Sequence, residues 1–171
     1  MHLSSIARIV GFFIILFSAT LAVPVIAALL YNEREVVHFL TPMLGSLMIG
    51  VAIWAVGSHS ATGLGHRDGF LIVALFWTIL SVLGAWPFML SANLGLVDAL
   101  FEAASGITTT GATVISGLDG LPRSLLLYRQ LLQWLGGMGL IVLGVAVLPM
   151  LGIGGMQLYR AEVPGPLKEE S

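Results

Sequence analysis

The sequence contains no cysteine, which removes disulfides, thiol catalysis and cysteine-ligated zinc from consideration. Charge is nearly as scarce. Asp, Glu, Lys and Arg make up 9% of the 171 residues, against about 25% in a soluble domain. So few charges cannot cover a water-facing surface, and a formal net charge of −2 provides no basic footprint for nucleic acid. Catalytic patterns are missing too. There is no HExxH, no GxSxG and no paired-carboxylate site. The glycine-rich GIGGMQ at 152–157 follows an apolar run rather than a strand, and it lacks the lysine of a phosphate-binding loop. What the chain has is apolar length: 57% hydrophobic residues and a mean hydropathy of +1.00. This is the composition of an integral membrane protein, with no enzymatic activity expected.

Crossing the hydrocarbon core takes roughly 17–25 apolar residues in a helix. Residues 9–30, 41–57 and 70–90 each meet that length, and 124–151 form a fourth run interrupted early by Arg129. The first run is too long for a signal-peptide core, and no small-x-small cleavage site precedes YNEREVVH, so it is read as a retained anchor. Short polar loops join the spans, and Pro164 and Pro166 place the tail beyond the last helix. An even number of crossings sets Arg8, Arg67, Arg160 and Lys168 on one side, with Arg34, Arg123 and Arg129 on the other. The positive-inside rule then favours, four to three, a cytoplasmic N-terminus and tail.

Between the third and fourth runs lies a segment too polar to span and too apolar for a plain loop. NLGLVDALFEAASG at 93–106 places Leu96, Val97, Leu100, Phe101 and Ala104 at helical spacing, with Asp98 near the start of the helix, where a carboxylate suits the dipole. About ten residues rise only about 15 Å, half the core thickness. Such a helix must enter and turn back. ITTTGAT follows, an extended run of carbonyls and threonine hydroxyls without charge. Non-helical backbone at membrane depth is tolerated only inside protein or along a watery cavity. Gly111 frees the backbone to aim successive carbonyls one way. Rings of carbonyls of this kind can replace the hydration shell of a potassium ion. Half-helix, oxygen-rich strand and flanking helices are one subunit's share of a cation pore.

The run FEAASGITTTGATVISGLDGLP, with YRQLLQWLGGMG and GGMQLYRAE at these spacings, resembles the TrkH/TrkG-type potassium-uptake subunits of bacteria, in the superfamily that includes the Ktr and Hkt transporters. The resemblance covers nearly the whole chain. It implies an all-α membrane protein: two N-terminal transmembrane helices in 1–66, a first helix–pore-loop–helix unit in 67–157, and a cytoplasmic tail from 158 to 171. The family carries four such units in one chain around one pore. The sequence would then be part of a longer chain, a truncated frame, or a unit that assembles fourfold. The implied function is potassium transport across the bacterial inner membrane, with passive transport and symport both open. Carried over residue by residue, the filter is Thr108, Thr109, Thr110 and Gly111, with the carbonyls of Thr109 and Thr110 as main ligands and Ala112 and Thr113 as the outer lip. No cofactor is implied beyond the transported ion. The implied partners are membrane lipid, a cytoplasmic nucleotide-binding subunit of the TrkA type, and a second copy of the full-length chain.

Other residues call for weaker readings. Glu102 and Arg129 are candidates for a buried pair that braces the loop, since charges inside a membrane protein are usually paired. His59 and His66 lack a third metal ligand nearby and are expected at the interface, as are Tyr31, Trp54 and Trp86. Gly136, Gly137, Gly139 and Gly144 allow close helix packing. A non-conducting scaffold or assembly subunit is the competing reading, and it leaves the threonine run unexplained. A carrier with a broken helix would call for an internal inverted repeat, and none is visible.

Overall fold

The computed structural model of the protein describes residues 3–57 and 66–150. The candidate metal ligand His59, the GIGGMQ stretch and the expected cytoplasmic tail lie outside the described residues. Among the described residues all regular structure is helical. The order is α1 (Leu3–Thr20), α2 (Ala22–Leu30), α3 (Val36–Val56), α4 (His66–Ser91), α5 (Leu96–Ile107), a 3-10 turn (Leu118–Gly120) and α6 (Arg123–Met150).

Among the described residues three stretches are long and apolar enough to cross a membrane: Leu3–Leu30, Val36–Val56 and Asp68–Ser91. The fourth expected span is helical as α6, whose 28 residues rise about 42 Å. The first span is not one continuous helix. The chain breaks at Leu21 between α1 and α2, and Pro24 falls in the first turn of α2. A first-turn amide has no helical partner in any case, so proline is tolerated there and not deeper. The two parts meet different neighbours: α1 lies chiefly along α3, whereas α2 packs on both α3 and α6.

Tyr128 of α6 lies at the centre of the bundle. It is fully buried, its ring sits 5.5 Å from Phe39 of α3 and 5.1 Å from Phe88 of α4, and its hydroxyl donates to the Gly84 carbonyl at 2.7 Å. One side chain thus ties three helices together. At one end of the bundle, Arg8 of α1 stacks on Trp54 at 4.6 Å and reaches the Gly57 carbonyl at 3.4 Å. The cation there meets the negative end of α3.

The opposite end holds a clamp that links positions 90 residues apart. Glu33, in the turn after α2, accepts from the Arg123 amide at 2.7 Å and the Ser124 amide at 3.1 Å, and from the Ser124 hydroxyl at 2.5 Å. A carboxylate from the N-terminal pair therefore caps the positive end of α6. Burial raises the Glu33 pKa, but the Ser124 and Arg123 hydrogen bonds and the nearby Arg123 charge outweigh it, leaving the group below its ordinary value. The Arg123 guanidinium lies 4.6 Å over the Tyr31 ring. Glu35 adds a second tie, accepting from the Ser91 hydroxyl at 2.7 Å at the end of α4.

Candidate functional site

The half-helix α5 is wedged between α4 and α6, and its buried face is made of Ala99, Glu102, Ala103, Ser105, Gly106 and Ile107. Part of the bulky stripe that the periodicity picks out is turned the other way: Leu96, Val97 and Phe101 are exposed, while Leu100 packs against the core. The reason is steric. Most of the side chains in the slot are small, and at its bottom it admits none on α6. A Cβ added to Gly136 would stand 1.9 Å from the Ile107 carbonyl oxygen, far inside contact distance. Gly136 lies thirteen residues into α6, about 20 Å down a helix of about 42 Å. The half-helix therefore ends near the middle of the bundle, as its length requires.

Beyond Ile107 the backbone departs from the extended strand expected. Thr108 has φ −86°, Thr109 φ +58° and Gly111 φ +74°, and Thr110 is not among the positive-φ residues. The sign of φ thus alternates along the run. Alternation of right- and left-handed residues directs successive peptide groups of one kind to the same side. A glycine at φ +74° is unstrained, whereas a β-branched residue at φ +58° is a rare conformation that its surroundings must hold.

The hydrogen bonds identify what holds it. The Thr108 amide donates to the Ala104 carbonyl at 2.9 Å and the Thr109 amide to Gly106 at 2.9 Å. Both the Thr110 and Gly111 amides donate to Ser105, at 2.9 and 3.3 Å. All four N–H groups are thus folded back onto the last turn of α5, satisfying its open carbonyls. The Thr108 hydroxyl donates to Ala104 at 2.7 Å, so in the 2.9 Å contact between the two hydroxyls Thr110 is the donor. Among the described residues no donor reaches the carbonyls of Thr108, Thr109, Thr110 or Gly111, and all four residues are exposed. The run ends sharply. The Ala112 carbonyl accepts from Ser105 Oγ at 2.6 Å, so it is turned back toward α5 and does not extend the series.

The returning leg is held from behind. Glu102, 3% exposed, accepts on Oε1 from the Thr113 hydroxyl, the Val114 amide at 2.7 Å and the Ile115 amide at 3.3 Å. Its Oε2 lies 3.3 Å from Arg129 Nε. The pair anticipated from the sequence is therefore formed and buried. Its grip on residues 113–115 was not legible from spacing, although an acid on the buried face of a half-helix was the signal. Thr113 is exposed, and its hydroxyl is bound to Glu102. Between this pair and the loop lies a cavity with about 10 Å³ of room, lined by Glu102, Ser105, Arg129 and Gln133 among others. That is room for one water.

The remaining candidates fall into place as scaffold. Trp54 and Tyr31 each lie beneath an arginine, and Trp86 fills the space over Gly45. His66 opens α4, and no cluster of three metal-ligating side chains occurs among the described residues. A Cβ added to Gly137 would meet only Thr109 Cγ2, at 3.7 Å, and Gly139 faces Phe76. Gly144 lies in α6.

Comparison with known proteins gives one consistent answer. The potassium uptake protein TrkH of Escherichia coli K12 is 53% identical over 171 residues, which cover 99% of this chain and 35% of that one. TrkG of the same organism is 44% identical over the same length, again 35% of that protein. The crystal structure of the potassium transporter TrkH from Vibrio parahaemolyticus superposes with a TM-score of 0.85 at 51% identity, covering 91% of this chain and 34% of that one. The chain thus spans about a third of the length of the curated relatives it matches. The family model described as a cation transport protein matches residues 37–171, and the chain belongs to the TrkH family.

Proposed function

We propose that this chain supplies the first pore unit, with two helices ahead of it, of a TrkH-type potassium-uptake subunit in the bacterial inner membrane. In this reading residues 1–66 are the leading pair, 67–157 the pore unit and 158–171 a cytoplasmic tail. The relatives named as potassium uptake proteins support the transported ion. The observation that carries the role of Thr108, Thr109, Thr110 and Gly111 is the one-sided use of their backbone. Four amides are consumed by the end of α5, while the four carbonyls, on exposed residues at half the depth of the bundle, meet no donor among the described residues. Unsatisfied carbonyls at that depth are costly unless a cation or water meets them. The Thr109 and Thr110 carbonyls are the main ligands, and the partially negative end of α5 adds to the field.

One loop surrounds a quarter of an ion, so the other ligands come from equivalent loops, in the same chain or in further copies. The TrkA-type regulatory subunit, the dimer and the cytoplasmic placement of both termini belong to the same proposal. The test is complementation. A chimera in which residues 1–171 replace the matching third of Escherichia coli TrkH restores growth of uptake-deficient cells on low potassium, and residues 1–171 alone do not. Failure of an inserted chimera to carry rubidium would instead favour a non-conducting scaffold.

A further inference from the structure

We propose that Glu102 is a positioning residue for ion selection, acting through the leg of the loop that follows the filter. This rests on the reading of Thr108–Gly111 as the filter. The two sides of that run are held differently. The side up to and including Gly111 is fixed by four amide hydrogen bonds into the last turn of α5. The side after it is exposed at Ala112, Thr113, Val114, Ser116 and Gly117. Among the described residues, two hydrogen-bonding groups tie 112–116 to the rest of the chain: Ser105, which donates to Ala112, and Glu102.

Glu102 makes most of that attachment. One carboxylate oxygen gathers donors from three successive residues, Thr113, Val114 and Ile115. A carboxylate has the lone pairs and the charge to hold three donors at once, and charge-assisted hydrogen bonds are the stronger kind. Arg129, itself nearly buried, holds the other oxygen from α6. The leg is thereby fastened to the helix pair behind it. Gly111, at φ +74° with open space around it, is the pivot between the fixed and the fastened side. Releasing the leg frees the peptide after Gly111 to turn, and the carbonyl geometry that discriminates between ions loosens with it.

The experiment uses the full-length chimera and measures rubidium uptake with and without competing sodium, normalised to the amount of protein in the membrane. Glu102→Gln keeps an acceptor oxygen but loses the charge, and Thr113→Val removes one donor while leaving the Glu102–Arg129 pair in place. The expected result is normal insertion with rubidium-over-sodium preference reduced about tenfold in Glu102→Gln and severalfold in Thr113→Val, the scale of one or two weakened hydrogen bonds. Thr113→Ser, which restores the hydroxyl, recovers the preference. Glu102→Ala strands Arg129 as a buried cation, so a failure to insert is its expected phenotype and the other two variants decide the matter. Wild-type preference per inserted molecule in both Glu102→Gln and Thr113→Val overturns the proposal. Gly111→Ser run in parallel separates the two readings. If it alters preference while those two do not, the filter stands and the positioning role of Glu102 falls; if none of the three does, both fall.

Discussion

Gly136→Ala tests whether the close approach of α6 to the end of α5 sets the depth of the loop. In an ordinary helix the change stabilises by roughly 1 kcal/mol through helix propensity. Here the new methyl would stand 1.9 Å from the Ile107 carbonyl oxygen and 2.7 Å from its carbon. A comfortable contact is about 3.4 Å or more, so the backbones must part by about 1.5 Å at the base of the half-helix. The obstacle is backbone and cannot rotate away, and overpacking of this kind costs typically about 1–3 kcal/mol. The net expectation is destabilisation of up to about 2 kcal/mol, with the loop displaced along with Ile107. Gly137→Ala is the control. Its methyl would meet only Thr109 Cγ2 at 3.7 Å, an ordinary contact, so propensity prevails and stability holds or rises. The assay is equilibrium unfolding of the purified chimera in mixed detergent, followed by circular dichroism. Equal stability of the two alanine variants would refute the reasoning, because the steric difference between neighbouring glycines is its whole content.

Further outcomes follow from the clamp, the central tyrosine and the orientation. Glu33 has a depressed pKa in the folded chain, so its contribution is complete above the ordinary glutamate range and is lost as pH falls through the lower, folded value. Unfolding of the Glu33→Gln variant should therefore depend less on pH below about 4.3 than wild type does, and identical profiles would remove the clamp from the account. Tyr128→Phe loses the hydrogen bond to Gly84 but keeps both ring contacts, so it should cost about 1 kcal/mol and leave ion preference unchanged. Cysteines placed at 67 and 168 should resist an impermeant reagent applied from outside, while those at 34 and 119 react; labelling at 67 or 168 would reverse the topology.

What the sequence disclosed was what hydrophobic length and periodicity govern. The spans at 41–57, 70–90 and 124–151 match α3, α4 and α6 apart from their ends, and the half-helix expected to stop at Gly106 stops at Ile107. The break at Leu21 escaped because both sides of it are equally apolar, although Pro24 marked the place. At the loop, composition pointed to ITTTGAT and to an unusual backbone at Gly111, which lies at φ +74°, and the family resemblance narrowed the run to Thr108–Gly111. The left-handed Thr109 was not legible, since a β-branched residue argues against that conformation and the hydrogen bonds that close the end of α5 impose it. The outward turn of Leu96, Val97 and Phe101 was also hidden, because periodicity finds a stripe without saying which neighbour it meets. The Glu33 clamp depends on a contact across 90 residues, which no local pattern encodes.

The central claim is that the carbonyls of Thr108–Gly111 select the ion, and substitution at Gly111 tests it most directly. Serine there must adopt φ near +74°, which costs on the order of 1–3 kcal/mol, or turn a carbonyl away to relax. A loss of about 1.4 kcal/mol in discrimination is a tenfold loss of preference. Gly117 supplies a matched control, at φ +71° with equally open surroundings but outside the run. In the full-length chimera, rubidium uptake against sodium should lose severalfold or more of its preference in Gly111→Ser and keep it in Gly117→Ser, with both proteins inserted. Wild-type preference in Gly111→Ser would contradict the account.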